Sequence, residues 1–366
     1  MRLLICAGGT GGGVYPALAV LEALNANRSM LNVLWVGGEG GMEESLVKRA
    51  GIPFAAIPAA GLHGVGLRSL PGNALKLARG FTASRRILRE FKPDALFFTG
   101  GYLAGPMALA GSRIPTLLYV PDIEPALALK TIARFADRIT VTAPDSLRYF
   151  PGRDSVVETG YPVRADFGHQ DRASARDALN LHNEKPVLMI WGGSRGARSI
   201  NQAVIKQLPY LVELAQVIHV SGELDWPHVQ ATKESLLGSH RRDYHAYPYL
   251  HDEMSVAMSA TDLVVSRAGA SSLGEYPLLG VPAILVPYPY AWRYQKVNAD
   301  YLANRGAAII LEDSRLKEDL LQVIQTLLKE PVKLQAMRTA MQSLARPHAA
   351  RDIASQILEL AGEERQ

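Results

Sequence analysis

Three stretches of this chain join glycine or other small residues to an immediately following helical pattern, a combination suited to holding an anion. The first, CAGGTGGGVYPALAV (Cys6–Val20), puts five glycines into positions 8–13. The second is GGSRGARSINQ (Gly192–Gln202), where Ser194 can offer a hydroxyl. The third is SRAGASSLGE (Ser266–Glu275), with small residues from Ala268 to Ser272 at an expected helix start and Glu275 about one turn later. Glycine lets backbone approach a ligand closely. A helix beginning there points unpaired N–H groups and the positive end of its dipole at that ligand, so phosphate is the natural guest. The Glu275 carboxylate can accept hydrogen bonds from both hydroxyls of a ribose. Competing accounts are tight strand-to-helix packing for any one glycine turn and a dipole-favoured first-turn carboxylate for Glu275.

Two common nucleotide motifs are absent. A P-loop needs Lys and Ser/Thr after its last glycine, and here Val14 and Tyr15 follow. The G-x-G-x-x-G fingerprint fails because its sixth position is Val14 counted from Gly9 and Pro16 counted from Gly11. An NAD-dependent oxidoreductase is thereby disfavoured. No Asp-x-Asp pair and no His/Cys cluster at metal-ligand spacing stands in the chain, so neither metal nor cofactor is expected.

The elements that must hold these turns follow a repeated pattern. RLLICAG, LNVLWVGG, DALFFTGG, PTLLYV and RITVTA read as buried strands, with ALAVLEALNA a helix between the first two. The pattern restarts at PVLMIWGGSRGARSINQAVIKQL and continues through QVIHVSG, DLVVSRAGASS and PAILVPYP. Two halves that each open strand, glycine turn, helix imply an α/β protein of GT-B type, two Rossmann-like domains with parallel sheets facing a cleft. The domains are expected at 1–163 and 164–344, with polar text over 157–181 as the junction; a C-terminal helix at about 345–366 is suited to packing back on the first. At 366 residues two domains are the default. One cysteine, Cys6, excludes a disulfide framework, and no apolar run approaches the roughly 20 residues that span a bilayer. The opening run is too short and glycine-broken for a signal peptide, so the chain reads as cytoplasmic.

Six ordered motifs, GGTGG (Gly8–Gly12), GGYLAGP (Gly100–Pro106), GYPVR (Gly160–Arg164), GGSRGARSINQ, SRAGASSLGE and RYQKVNA (Arg293–Ala299), together resemble the MurG family over nearly the whole chain. These are UDP-N-acetylglucosamine transferases that add the second sugar to the lipid-linked peptidoglycan precursor. The resemblance implies inverting transfer of N-acetylglucosamine from UDP-GlcNAc to undecaprenyl-diphospho-N-acetylmuramoyl-pentapeptide, at the cytoplasmic side of the plasma membrane. In the second domain it implies that Ser194, Ala270, Ser271, Ser272, Leu273, Gly274 and Glu275 hold the diphosphate and ribose. Gln295 would bind the donor sugar, Arg164 the nucleotide at the domain junction, and Leu250 or Tyr249 the uracil. In the first domain Thr10, Gly11 and Gly12 would face the reaction centre and the acceptor diphosphate, with Tyr102 beside them.

The chain also departs from that family. Gly13 stands where the family has a histidine, a candidate base, and Tyr119–Asp122 reads YVPD where the family reads His-Glu-Gln-Asn. Tyr294 replaces a frequent glutamine. The attacking hydroxyl must lose a proton to something. Asp122 is the expected base, with capping of the next helix as its competing account; His63 and Glu124 are further candidates. Arg164 and helix N-termini would stabilise the leaving UDP. Finally, Leu67–Asp94 carries Arg68, Lys76, Arg79, Arg85, Arg86, Arg89 and Lys92 interleaved with apolar residues. It suits an anionic membrane surface, or equally a solvated helix packed by its apolar face. Nucleic acid is not expected, since no aromatic stacking platform accompanies the charge. A related sugar-nucleotide transferase with another acceptor, and a non-catalytic UDP-sugar-binding protein, remain the alternatives.

Overall fold

Strands buried on both faces belong to parallel sheets covered by helices, and Leu3–Cys6 of the first strand are all 0% exposed. The computed structural model describes residues 1–8, 11–26, 31–59, 70–101, 104–193, 196–290 and 294–362. The chain divides into two compact units, Met1–Arg164 with Arg346–Gln366, and Ala165–Ala345.

In the first unit the strands are β1 (Arg2–Cys6), β2 (Asn32–Gly38), β3 (Phe54–Ile57), β4 (Ala95–Phe98), β5 (Thr116–Val120), β6 (Arg138–Val141) and β7 (Val156–Glu158). They lie in the order β3-β2-β1-β4-β5-β6-β7 and pair in parallel throughout. In the second unit β8 (Val187–Trp191), β9 (Gln216–Val220), β10 (Tyr244–Tyr247), β11 (Leu263–Ser266), β12 (Ala283–Leu285) and β13 (Ala308–Ile310) lie in the order β10-β9-β8-β11-β12-β13, again all parallel. Each order reverses direction once, between β1 and β4 and between β8 and β11. In open α/β sheets ligands bind beyond the carboxyl ends of the strands at such a reversal.

The four edge strands, β3, β7, β10 and β13, are only partly buried and are not among the strands expected from the sequence. Part of the polar text at 157–181 is also ordered structure: Val156–Glu158 closes the first sheet, and Arg172–Ala178 is a helix. That helix starts where it does because the Asp171 carboxylate accepts from the N–H groups of Ala173 and Ser174, at 2.9 and 3.0 Å.

The helix Ala349–Leu360 packs against the helix Gly11–Ala26 of the first unit. Arg138 ties it down, donating at 2.7 Å to both Gln356 Oε1 and Glu359 Oε2. The approach to that helix explains the glycine of GYPVR. Gly160 has φ +94°, and a Cβ there would lie 2.3 Å from the Cβ of Arg346, whose guanidinium pairs with Glu158 at 2.9 Å. Among the described residues no helix is long and apolar enough to cross a membrane.

Candidate functional site

In the first unit the glycine turn follows β1. Trp35 of β2 is fully buried and donates its indole N–H to the Ala7 carbonyl at 2.9 Å, fixing the backbone just before the turn. Thr10 lies outside the described residues. Gly11, Gly12 and Gly13 form the first turn of the helix Gly11–Ala26. Buried Thr99, immediately past β4, donates its hydroxyl to the Gly13 carbonyl at 2.5 Å, so the ends of β1 and β4 are joined across the reversal. A Cβ at Gly13 would meet Thr99 O and Oγ1 at 3.6 Å and Gly8 O at 3.7 Å, ordinary contact distances. Glycine is therefore not required there by packing. Tyr102 and His63 lie outside the described residues.

The loop after β5 carries the other departures. Tyr119 is fully buried with its hydroxyl 2.7 Å from Thr142 Oγ1, and burial pushes that hydroxyl well above the usual tyrosine range. It is a packing residue. Glu124 is 2% exposed, 3.5 Å from Lys130 Nζ and 3.5 Å from the Tyr149 hydroxyl, which makes it an anchor of the loop. Asp122 is the more accessible carboxylate of the two. Arg164, at the end of the unit's N-terminal segment, sits over the ring of Tyr15, 5.5 Å from its centroid.

In the second unit the glycine turn follows β8, and Ser194 lies outside the described residues. Gly196 has φ +74°, and a Cβ there would stand 2.2 Å from the Ser221 carbonyl beyond β9. Only glycine permits that approach. The following helix, Arg198–Leu214, is held at its start by Ser199, whose hydroxyl donates to Asp313 Oδ1 at 2.7 Å and accepts from Arg267 Nη2 at 2.8 Å. Arg267, directly past β11, also donates to Asp313 Oδ1 at 2.5 Å and to the Val286 carbonyl at 3.1 Å. One guanidinium thus joins the loops beyond β8, β11, β12 and β13.

The segment after β11 differs from the expected continuous helix start. Ala270–Leu273 form a 3-10 turn, Gly274 leaves helical geometry at φ −123° and ψ −51°, and Glu275 opens a separate five-residue helix, Glu275–Leu279. Two interactions fix this break. The Ser272 hydroxyl donates to the Gly269 carbonyl at 2.6 Å, and buried Tyr276 donates to Ser266 Oγ at 2.7 Å while accepting from Trp191 Nε1 at 2.8 Å. Beyond β12, Gln295 Oε1 accepts from the Tyr288 N–H at 2.8 Å. Leu250, past β10, is buried, and the Tyr249 ring lies 4.6 Å from that of His251.

Parallel pairing therefore brings Ala270–Glu275, past β11, to the same strand ends as the second glycine turn past β8, and the Gln295 amide is tied to Tyr288 past β12, the next strand. Leu250 follows β10, two places from β8, and Asp122 follows β5, two places from β1. Residues that sequence reasoning did not single out include Arg267, Tyr276, Asn201 and Asn298, whose buried amide donates to the Ala268 carbonyl at 3.2 Å. The sequence offered one signal for Asn201 and Asn298, their places inside the motifs GGSRGARSINQ and RYQKVNA; their burial appears only in the fold. Among the described residues no three His, Cys, Asp or Glu side chains gather as a metal set.

Residues 3–141 match the glycosyltransferase family 28 N-terminal domain, and residues 187–357 match the glycosyltransferase family 28 C-terminal domain. A protein of Desulforamulus reducens named UDP-N-acetylglucosamine--N-acetylmuramyl-(pentapeptide) pyrophosphoryl-undecaprenol N-acetylglucosamine transferase is 39% identical, over 96% of this chain and 97% of that protein. A Roseiflexus protein of the same name is 38% identical, over 97% of this chain and 94% of that one. The crystal structure of Acinetobacter baumannii MurG superposes with a TM-score of 0.75 at 27% identity, covering 98% of this chain and 99% of that one.

Proposed function

From the premise that this chain belongs to the family of UDP-N-acetylglucosamine--N-acetylmuramyl-(pentapeptide) pyrophosphoryl-undecaprenol N-acetylglucosamine transferases, we propose that it moves N-acetylglucosamine from UDP-GlcNAc to the lipid-linked muramoyl-pentapeptide. Its two parallel-sheet α/β units are of GT-B type. The observation that carries the donor half is the meeting of the second glycine turn and the Ala270–Glu275 segment at the β8/β11 reversal. There the turn, with Ser194, and residues Ala270–Gly274 hold the diphosphate, Glu275 the ribose, Leu250 the uracil and Gln295 the sugar. Because the Gln295 oxygen accepts from Tyr288, the amide offers its N–H groups to a sugar hydroxyl.

The reaction is a single displacement at the anomeric carbon. The acceptor hydroxyl attacks and loses its proton, the glycosidic bond to the diphosphate breaks, and the configuration inverts. Asp122 takes the proton, supported by its accessibility beside the anchored Glu124. Arg164 and the N–H groups of the second unit's glycine turn and helix N-termini stabilise the charge growing on UDP. Thr10, Gly11, Gly12 and Tyr102 are assigned to the acceptor diphosphate.

The acceptor is lipid-linked, and the helix Leu70–Phe91 exposes Leu75, Lys76, Arg79, Arg85, Arg86 and Arg89. Each exposed basic residue near anionic lipid is worth about 1 kcal/mol. This supports peripheral association with the cytoplasmic face of the membrane.

The test is transfer of labelled N-acetylglucosamine from UDP-GlcNAc to a short-chain lipid-linked muramoyl-pentapeptide, with Glu275→Ala alongside. Product from the unaltered protein, lost in the variant, supports the reading. UDP binding without product, under conditions where a known transferase works, would overturn it.

A further inference from the structure

The core of the second unit contains a buried imidazole that the mechanism above does not use. His219, the next-to-last residue of β9, is 0% exposed, and both its ring nitrogens have polar neighbours. Nδ1 lies 2.7 Å from the Tyr244 hydroxyl and Nε2 lies 2.9 Å from Asn201 Oδ1. Hydrogen-bond accounting settles where the protons are. Asn201 Nδ2 donates to the Ser221 carbonyl and to Asp225 Oδ2, both at 2.8 Å, so its Oδ1 must accept. Turning the amide over would set Oδ1 against a carbonyl and a carboxylate. His219 Nε2 therefore carries the proton, and bare Nδ1 accepts from the Tyr244 O–H. Burial pushes the imidazole down to about 3, which keeps the ring neutral at pH 7.

The chain of bonds ends at the glycine turn. Asn201 stands on the first turn of the helix Arg198–Leu214, its N–H bonded to the Ala197 carbonyl at 2.9 Å. The Ser221 carbonyl that it holds is the one lying against Gly196. Burial of the strand does not by itself call for this arrangement, since the flanking Ile218 and Val220 are apolar and a buried polar pair can give way to apolar groups at little cost.

We infer that His219 is a positioning residue of the donor site, acting through Asn201 to hold Gly196 and Ala197, the end of the second glycine turn, against Ser221. The inference rests on the reading of that turn as the cradle of the donor diphosphate. A glutamine at 219 can place an amide N–H where Nε2 stands, whereas leucine cannot.

The experiment compares UDP binding by calorimetry, and kcat and KM for UDP-GlcNAc, in the unaltered protein, His219→Leu, His219→Gln and Tyr244→Phe, each checked for folding by circular dichroism. Losing one oriented hydrogen bond should raise the UDP Kd and the donor KM of His219→Leu by about tenfold, with kcat within about twofold. His219→Gln should recover most of that loss. Should His219→Leu fail to fold, Tyr244→Phe, which keeps the ring, should still weaken UDP binding several-fold. Equal UDP affinity in all folded variants would overturn the inference and leave the donor reading standing. A failure of the unaltered protein to bind UDP would overturn both.

Discussion

The Arg164 guanidinium lies over the ring of Tyr15, 5.5 Å from its centroid, so the last residue of the first unit's N-terminal segment rests on the helix that begins in the first glycine turn. A cation over an aromatic face is worth about 0.5–1 kcal/mol where partly exposed, and the phenol and phenyl rings serve alike. Tyr15→Leu should therefore raise the donor KM about two- to fivefold, while Tyr15→Phe should leave it near the original. Steady-state kinetics with UDP-GlcNAc decide the point, and equal losses in both variants would count against the stack.

Asp122 and Glu124 should separate cleanly. Removing a general base costs roughly 10²–10⁴-fold in rate. Asp122→Asn is expected to lower kcat by at least about 100-fold with donor KM unchanged. Glu124→Gln should instead lower stability, by about 1–3 kcal/mol, because Lys130 loses its buried carboxylate. Kinetics and urea melts on the two variants provide the comparison.

Gly13 leaves room for a side chain. A Cβ meets nothing closer than 3.6 Å, and the backbone there is helical. Gly13→Ala should stabilise the protein by about 0.4–1 kcal/mol, through reduced freedom of the unfolded chain. A urea midpoint that falls instead of rising would contradict this.

Gly160 should behave in the opposite way. At φ +94° and with Arg346 in the path of any Cβ, Gly160→Ala is expected to cost roughly 1–3 kcal/mol. The damage should concentrate on the C-terminal segment, visible as faster proteolysis near Arg346.

His219 makes stability depend on pH. Its folded value of about 3 lies below the ordinary value of 6.5, so the unfolded chain binds the extra proton first. Stability should be fully present above about pH 7 and fall as the pH drops, by about 2 kcal/mol between pH 7 and 5. In His219→Gln that part of the slope should disappear, which paired urea melts at the two pH values would reveal.

Several of these features were legible in the residues. The apolar strands β1, β2, β4, β5, β6, β8, β9, β11 and β12 stand out because a strand buried on both faces must be close to continuously apolar. The glycine turns stand out because close backbone approach requires the absence of a side chain, and Gly196 against Ser221 bears the reason out. The strands β3, β7, β10 and β13 did not stand out: they are the edge strands of the two sheets, only partly buried, so they need not be continuously apolar.

The side-chain partnerships belong wholly to tertiary structure. Glu124 and Asp122 are alike as carboxylates two positions apart, and only the placement of Lys130 and Tyr149 buries one of them. Gly274 reads like any small residue of a helix start, yet the anchoring of Tyr276 to Ser266 and Trp191 breaks the helix there. His219 could have been an exposed base, and β9 placed it between Tyr244 and Asn201. Residue type and spacing by themselves determined the two α/β halves and the glycine turns, because these depend on local backbone and periodicity, while the six ordered motifs carried the resemblance to the family. The protonation of His219, the break at Gly274 and the accessibility of Asp122 were decided only when distant segments met, because burial and hydrogen-bond partners exist only in the folded chain.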